Sequence, residues 1–266
     1  MTLPEYEPVT FKKAPLKQVI GQVRFPVLPR FGDGNFIAPF QEALQTSYPS
    51  ASREESVTLR VAAGESVQST KVETLWRFST RDRKWSVVLG EAALTLEVPG
   101  YTSIDEFLER FASALNSVQK HLRVSDRTRL GLRYINEIRH PQGRNLRAWG
   151  SLLRPDFVGF AGSDLLGGTV EESRHELRVQ QQNGVLVVRH GLVGRLIPTE
   201  DAPDAEDRFY LIDLDYFDTT EADLDTDKII EQMRTYNDFI YRFFRWTLSD
   251  DLYNYLDPLG NANDDS

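Results

Sequence analysis

The chain has 266 residues, 40% hydrophobic and 27% charged, with 31 Lys and Arg against 40 Asp and Glu, a balance that excludes collagen, coiled coil and wholesale disorder. Net charge −9 repels polyanions and disfavours non-specific binding to nucleic acid or acidic membranes. The absence of cysteine removes disulfides, thiolate metal sites and cysteine nucleophiles. At about 150 residues per domain the length predicts one or two domains whose core needs no staple. The opening Met1-Thr-Leu-Pro-Glu-Tyr-Glu-Pro8 lacks the basic-then-apolar pattern of a secretory signal, and no window approaches the roughly 18 apolar residues of a membrane span. A cytoplasmic location away from membranes is expected.

Pro15 to Phe25 reads as a strand, β-branched and closed by Pro26. Strand side chains alternate, so Val19, Val23 and Phe25 share one face and Gln18, Gln22 and Arg24 the other. After the Pro/Gly-rich turn from Pro29 to Gly34, Phe36, Ile37, Phe40 and Leu44 recur at helical spacing up to Tyr48-Pro49. Strands follow at Ser56 to Ala62, Val72 to Ser79, Trp85 to Leu89 and Leu94 to Val98, with Arg81-Asp82-Arg83 as a polar connection. Ser103-Ile-Asp-Glu106 is a capping box. Behind it Ile104, Phe107, Leu108, Phe111, Leu115, Val118 and Leu122 trace one helical stripe that lies on the sheet.

The second half repeats this plan. Arg129 to Ile138 is a strand whose Gly131-Leu-Arg-Tyr134 echoes Gly21 to Phe25. Leu146, Trp149, Leu152 and Leu153 form a short helix before Pro155. Glu172 to Gln182 and Val185 to Leu192 flank Asn183-Gly184, read as a type I′ hairpin turn. The acidic loop Thr199 to Asp207 precedes a strand from Phe209 to Phe217. A long helix from Asp225 then carries Ile229, Ile230, Met233, Tyr236, Ile240, Phe243, Phe244 and Leu248. The expectation is an α+β chain with an internally duplicated strand-helix-strands-helix unit, residues 1–125 and 126–257, followed by a disordered tail at 258–266. The two halves join into one curved antiparallel sheet with the long helices on one face, an order that resembles TATA-binding-protein-like and helix-grip plans. Two small α+β domains split near residue 125 are the alternative.

Several segments carry a family likeness: Ala14-Pro-Leu-Lys-Gln-Val-Ile-Gly-Gln-Val-Arg-Phe25, Trp85-Ser-Val-Val-Leu89, Tyr101-Thr-Ser-Ile-Asp-Glu-Phe-Leu-Glu-Arg110, Gly131-Leu-Arg-Tyr-Ile-Asn136 and Leu211-Ile-Asp-Leu-Asp-Tyr216. Together they span nearly the whole chain, which resembles a sporadically distributed bacterial family of about this length that has no assigned function. Gln22 departs from it, an acid being more usual before Val-Arg-Phe. The resemblance supplies no catalytic residues. Its patchy distribution implies a role in mobile defence, toxin-antitoxin or phage-related cargo.

Asp213 and Asp215 point to one side of their strand with Cβ atoms roughly 7 Å apart, a pair able to hold Mg²⁺ for phosphodiester or nucleotide chemistry. The bland reading is the solvent side of a half-buried strand, since Tyr210, Ile212, Leu214 and Tyr216 supply the apolar face. Arg24 and Arg133 hold matching places in the two halves. With Arg77 they form a candidate groove for a ligand or anion, gripping carboxylate or phosphate, among Arg178, Glu97, Glu176 and the two aspartates on the same polar side. The alternative is a solvated face laced with ion pairs. His121, His140, His175 and His190 show no metal-ligand spacing, and neither a Gly-x-Ser-x-Gly elbow nor a phosphate-binding glycine loop occurs. Neither cofactor nor metal is expected.

Tyr236, Phe239, Phe243, Phe244 and Trp246 cover more than one face of the last helix. They are read either as an interface for a protein partner or homodimer or as the mark of a helix central to its own fold. The leading expectation is a non-enzymatic binding or regulatory module, a partner, neutraliser or sensor in a bacterial conflict system. Asp201, Asp204 and Asp207 would steer a basic partner. The alternatives are a metal-dependent phosphodiesterase or nucleotide-processing enzyme using Asp213 and Asp215, and a small-ligand pocket between helices and sheet.

Overall fold

The computed structural model describes residues 3–60, 69–100, 103–163, 165, 167–196 and 206–259. In chain order the elements are β1 (Thr10–Phe11), β2 (Leu16–Arg24), α1 (Gly34–Leu44), β3 (Ser50–Arg60), β4 (Ser69–Ser79), β5 (Ser86–Gly90), β6 (Ala93–Val98) and α2 (Ile104–Ser117). Then follow β7 (Asp126–Arg127), β8 (Arg129–Ile138), α3 (Leu146–Leu152), α4 (Pro155–Val158), β9 (His175–Gln181), β10 (Gly184–Leu196), β11 (Glu206–Asp218), β12 (Ala222–Asp223), α5 (Thr226–Thr247), α6 (Asp250–Tyr255) and β13 (Pro258–Leu259). The chain is α+β, built on a nine-stranded antiparallel sheet in the order β3-β4-β5-β6-β2-β8-β11-β10-β9. No described helix is long and apolar enough to cross a membrane.

Two compact units partition the chain. One comprises Val19–Leu132 and Phe217–Arg234, the other Met1–Gln18, Arg133–Tyr216 and Thr235–Ser266. Both are discontinuous because β2, β8, β11 and α5 each contribute to the two.

In the first unit β3 to β6 form a meander that β2 completes by pairing with β6, Gly21 opposite Leu96. The period-two pattern decides the faces. Val19, Val23, Val87, Leu89, Leu94, Leu96 and Phe78 are buried together with Phe107, Leu108, Phe111 and Leu115 of α2. Gly21 leaves the space that closes this packing: a Cβ there would lie 2.9 Å from both the Met233 methyl and the Phe107 ring. Ser103 caps α2 by accepting from the Glu106 N–H at 3.2 Å, and the Glu106 carboxylate is engaged by Arg110 one turn later. A π-turn, Val118–Leu122, extends α2 and keeps Val118 and Leu122 buried before Arg123 ends it in left-handed backbone. The strand expected from Ser56 begins earlier, at Ser50 directly after Pro49.

In the second unit α3 starts where Asn145 accepts from the Ala148 N–H and buries Leu146, Trp149 and Leu152. Tyr210, Ile212, Leu214 and Tyr216 of β11 and Tyr236, Ile240 and Phe244 of α5 complete this core. The β9–β10 hairpin forms, but its turn is centred one residue before the expected position. Gln181 pairs with Gly184, Asn183 lacks positive φ and Gly184 opens β10 at φ 145°, so the turn is not type I′. Pro258 and Leu259, read as tail, pair with Phe11 and Thr10 instead, while residues 260–266 lie outside the described residues.

Candidate functional site

The strand alternation of β11 turns Asp213 away from the helices, yet Asp213 is only 3% exposed. Arg133 on β8 covers it, donating from Nε to Oδ1 at 2.7 Å and from Nη2 to Oδ2 at 2.6 Å. That bond is the leading reason the guanidinium holds its proton more tightly than usual, with Asp215 adding to the pull. Arg189 Nη1 on β10 stands 3.7 Å from the same carboxylate, and Arg189 Nε donates to Glu176 on β9 at 2.7 Å. Charge therefore alternates across four neighbouring strands, Arg133, Asp213, Arg189 and Glu176. Both Asp213 oxygens are engaged by guanidinium, so a divalent cation there would have to displace Arg133. Among the described residues no three His, Asp or Glu side chains converge as a metal site.

Arg77 and Arg24 lie in the other unit. Arg77 donates to Glu97 at 2.8 Å and to Glu54 at 2.9 Å. Arg24 Nε donates to Gln22 Oε1 at 3.1 Å, and Arg129 Nη1 donates to the same oxygen at 3.2 Å. Gln22 in turn donates to Thr95. Gln22 is thus an acceptor shared by two arginines. The three arginines of the expected anion groove are held by side chains of their own sheet face, Arg77 and Arg133 in ion pairs and Arg24 on the neutral amide of Gln22.

Of the aromatic residues of α5, Tyr236 and Phe244 pack inward, and Phe239, Phe243 and Trp246 are half-buried. Tyr236 is fully buried on Tyr216, ring centroids 4.5 Å apart, and Phe239 meets the same ring edge-on at 5.3 Å. Phe244 is buried, Phe243 contacts Phe157, and Trp246 takes the Arg154 guanidinium over its ring. Further along α5, Tyr241 accepts from the Val9 N–H at 3.0 Å and donates to the Glu7 carbonyl at 2.9 Å. Arg242 donates to the carbonyls of Pro4 and Leu3, and Arg245 stacks on Tyr253, Tyr6 and Phe11. A strap made of residues 3–11 is thereby held by Tyr241, Arg242 and Arg245, none of them among the five aromatic residues read from sequence as an interface. Of the acidic steering residues, Asp201 and Asp204 lie outside the described residues. Asp207 is clasped by Arg139, whose proton is held more firmly for that reason.

Two features escaped the sequence reading. First, β9–β10 pairing sets His175 opposite His190 with rings stacked at 4.8 Å. His190 Nδ1 shares a 2.9 Å hydrogen bond with Tyr210 Oη, and Phe157 stacks on its other face at 4.1 Å. Burial, with His175 beside it, lowers the His190 pKa to about 4, and burial raises that of Tyr210. Both are neutral at pH 7, a structural pair rather than an ionised base. Second, β9 is the last strand of the sheet, and its Leu177 and Val179 are 49% and 38% exposed. The register of the hairpin is the signal that would have found both. No family model, curated protein or solved structure matches this chain.

Proposed function

We propose that the chain is a non-enzymatic protein-binding or regulatory module of the cytoplasm, a partner, neutraliser or sensor in a bacterial defence or toxin-antitoxin system. The observation that carries this reading is the edge of β9, which among the described residues pairs with β10 alone and whose Leu177 and Val179 are exposed. Such edges bind another strand by extending the sheet, with main-chain bonds giving affinity and alternate side chains giving specificity. The pairing of Asp213 with Arg133 favours binding over metal-assisted chemistry, and the family resemblance supplies the conflict-system context. The contact surface moves from α5 to β9 because Tyr236 and Phe244 are already buried within the fold.

The fold is read with it as an internal duplication of residues 1–125 and 126–257, similar to TATA-binding-protein-like and helix-grip plans. Support lies in the strand order. In each half the opening strand, β2 or β8, lies beside the last strand of a meander, β6 or β11, and a long helix, α2 or α5, follows.

Native mass spectrometry of protein purified gently from its own host at low salt tests the function. A second polypeptide mass, or twice the chain mass, is the expected result. A bare chain that also stays monomeric at about 1 mM defeats the reading, and one carrying nucleotide or divalent metal moves the assignment to the Asp213/Asp215 enzyme. Asp215→Asn would then abolish turnover without unfolding the chain.

A further inference from the structure

We infer that the partner at the β9 edge is a second copy of this chain, its own β9 pairing antiparallel about a two-fold axis at Leu177. This rests on the binding reading above and names the occupant. Sheet edges that must stay single are blunted by Pro, Lys, bulges or charge repulsion. The seven residues of β9, His175-Glu-Leu-Arg-Val-Gln-Gln181, contain no Pro, Lys or Gly, and among the described residues no strand pairs with their outer side. In an antiparallel ladder alternate residues turn N–H and C=O away from the existing neighbour, so β9 presents a second ladder ready to form.

The side chains select the occupant. A two-fold axis perpendicular to the sheet keeps each face continuous across the new pair, so residues of like parity meet. Centred on Leu177, the register sets Leu177 against its copy and Val179 against the second copy's His175, joining the exposed apolar row to itself. On the opposite face Glu176, 62% exposed, meets the second copy's Arg178, and Arg178 meets its Glu176. The alternating row Arg133, Asp213, Arg189, Glu176 then continues into the next molecule with its sign pattern intact. An axis at Arg178 would oppose two arginines, and one at Val179 would set Glu176 against Gln182. Charge complementarity thus makes this edge selective for itself. An edge of seven residues gives a small interface, so the association is weak and concentration-dependent.

Sedimentation equilibrium of the full chain is the test. The expected result is a reversible monomer–dimer equilibrium. Arg178→Glu raises its dissociation constant about tenfold by placing like charges across both pairs, with the circular dichroism of the folded chain retained. Adding Glu176→Gln to Arg178→Glu relieves that repulsion and recovers most of the loss, while the amide oxygen introduced there still accepts from Arg189. A wild type still monomeric at about 1 mM, or a dimer indifferent to Arg178→Glu, overturns the inference. The two readings fail separately: a different polypeptide in the native mass spectrum, released by Arg178→Glu, retains the binding module and refutes the second copy.

Discussion

Acidification tests the buried imidazole of His190 directly. In the unfolded chain a histidine takes up its proton near pH 6.5. In the fold, burial against Phe157 and Tyr210 first, and the neighbouring His175 second, lower this to about 4. The native state therefore binds fewer protons than the unfolded state between these values, and stability rises with pH across the window. The contribution is complete above pH 6.5 and is lost as pH falls toward 4. At pH 5 the unfolded imidazole is nearly all protonated and the folded one nearly all neutral, a difference of about 2 kcal/mol. Solvent screening reduces the loss to about 1.5 kcal/mol. For a chain of this size that is a melting-temperature drop of about 3–5 °C. Urea unfolding followed by tryptophan fluorescence at pH 7 and pH 5 reads the effect, with His190→Gln as the control that keeps a polar partner for Tyr210 and cannot charge. Asp33, Asp82, Asp218 and Asp225 have pKa values lowered from 3.8, so their losses fall at more acid pH. Equal losses in wild type and His190→Gln would refute the assignment.

Arg133→Ala strands the Asp213 carboxylate, 4% exposed, with only Arg189 at 3.7 Å. Unfolding free energy should drop by about 2 kcal/mol, discounted because the arginine itself is 37% exposed; a loss below a few tenths in chemical denaturation contradicts the paired reading. Gly191→Ala places a Cβ 2.0 Å from the Ser173 carbonyl oxygen at a φ of +153°, and neither backbone can yield cheaply. A cost of about 3 kcal/mol or more is expected, seen as loss of soluble protein or a greatly lowered melting temperature. Tyr241→Phe removes the acceptor of the Val9 N–H and the donor to Glu7 O, at about 1 kcal/mol. Hydrogen exchange across residues 3–11 should accelerate while α2 is untouched; uniform acceleration would mean the strap is integral to global stability.

Local pattern made much of the fold legible. The stripe from Phe107 to Leu122 and the cap at Ser103 needed only periodicity and one hydroxyl, and the alternation of β2 and β11 assigned their buried faces correctly. What local pattern could not reach was pairing at a distance. The tie of Pro258 and Leu259 to residues 10–11 joins the two ends of the chain, and no property of a dipeptide announces it. The strap on α5 is the same case: Tyr241 is bound by residues more than 230 positions away, and no local pattern announces that pairing. The histidine pair was closer to hand. Centring the hairpin on Asn183-Gly184 sets His190 against Leu177, and one residue of displacement sets it against His175.

That displacement bears on how the hairpin finds its alignment. Glu176 stands between Arg174 and Arg178, and Arg189 faces Glu176. A slip of one residue would turn every β9 side chain to the opposite face and take Glu176 away from Arg189. A slip of two preserves the faces, but in either direction it brings Arg189 opposite an arginine. The lone acid among arginines therefore acts as a proofreading mark: the two slips that keep each side chain on its face are the two that charge rejects.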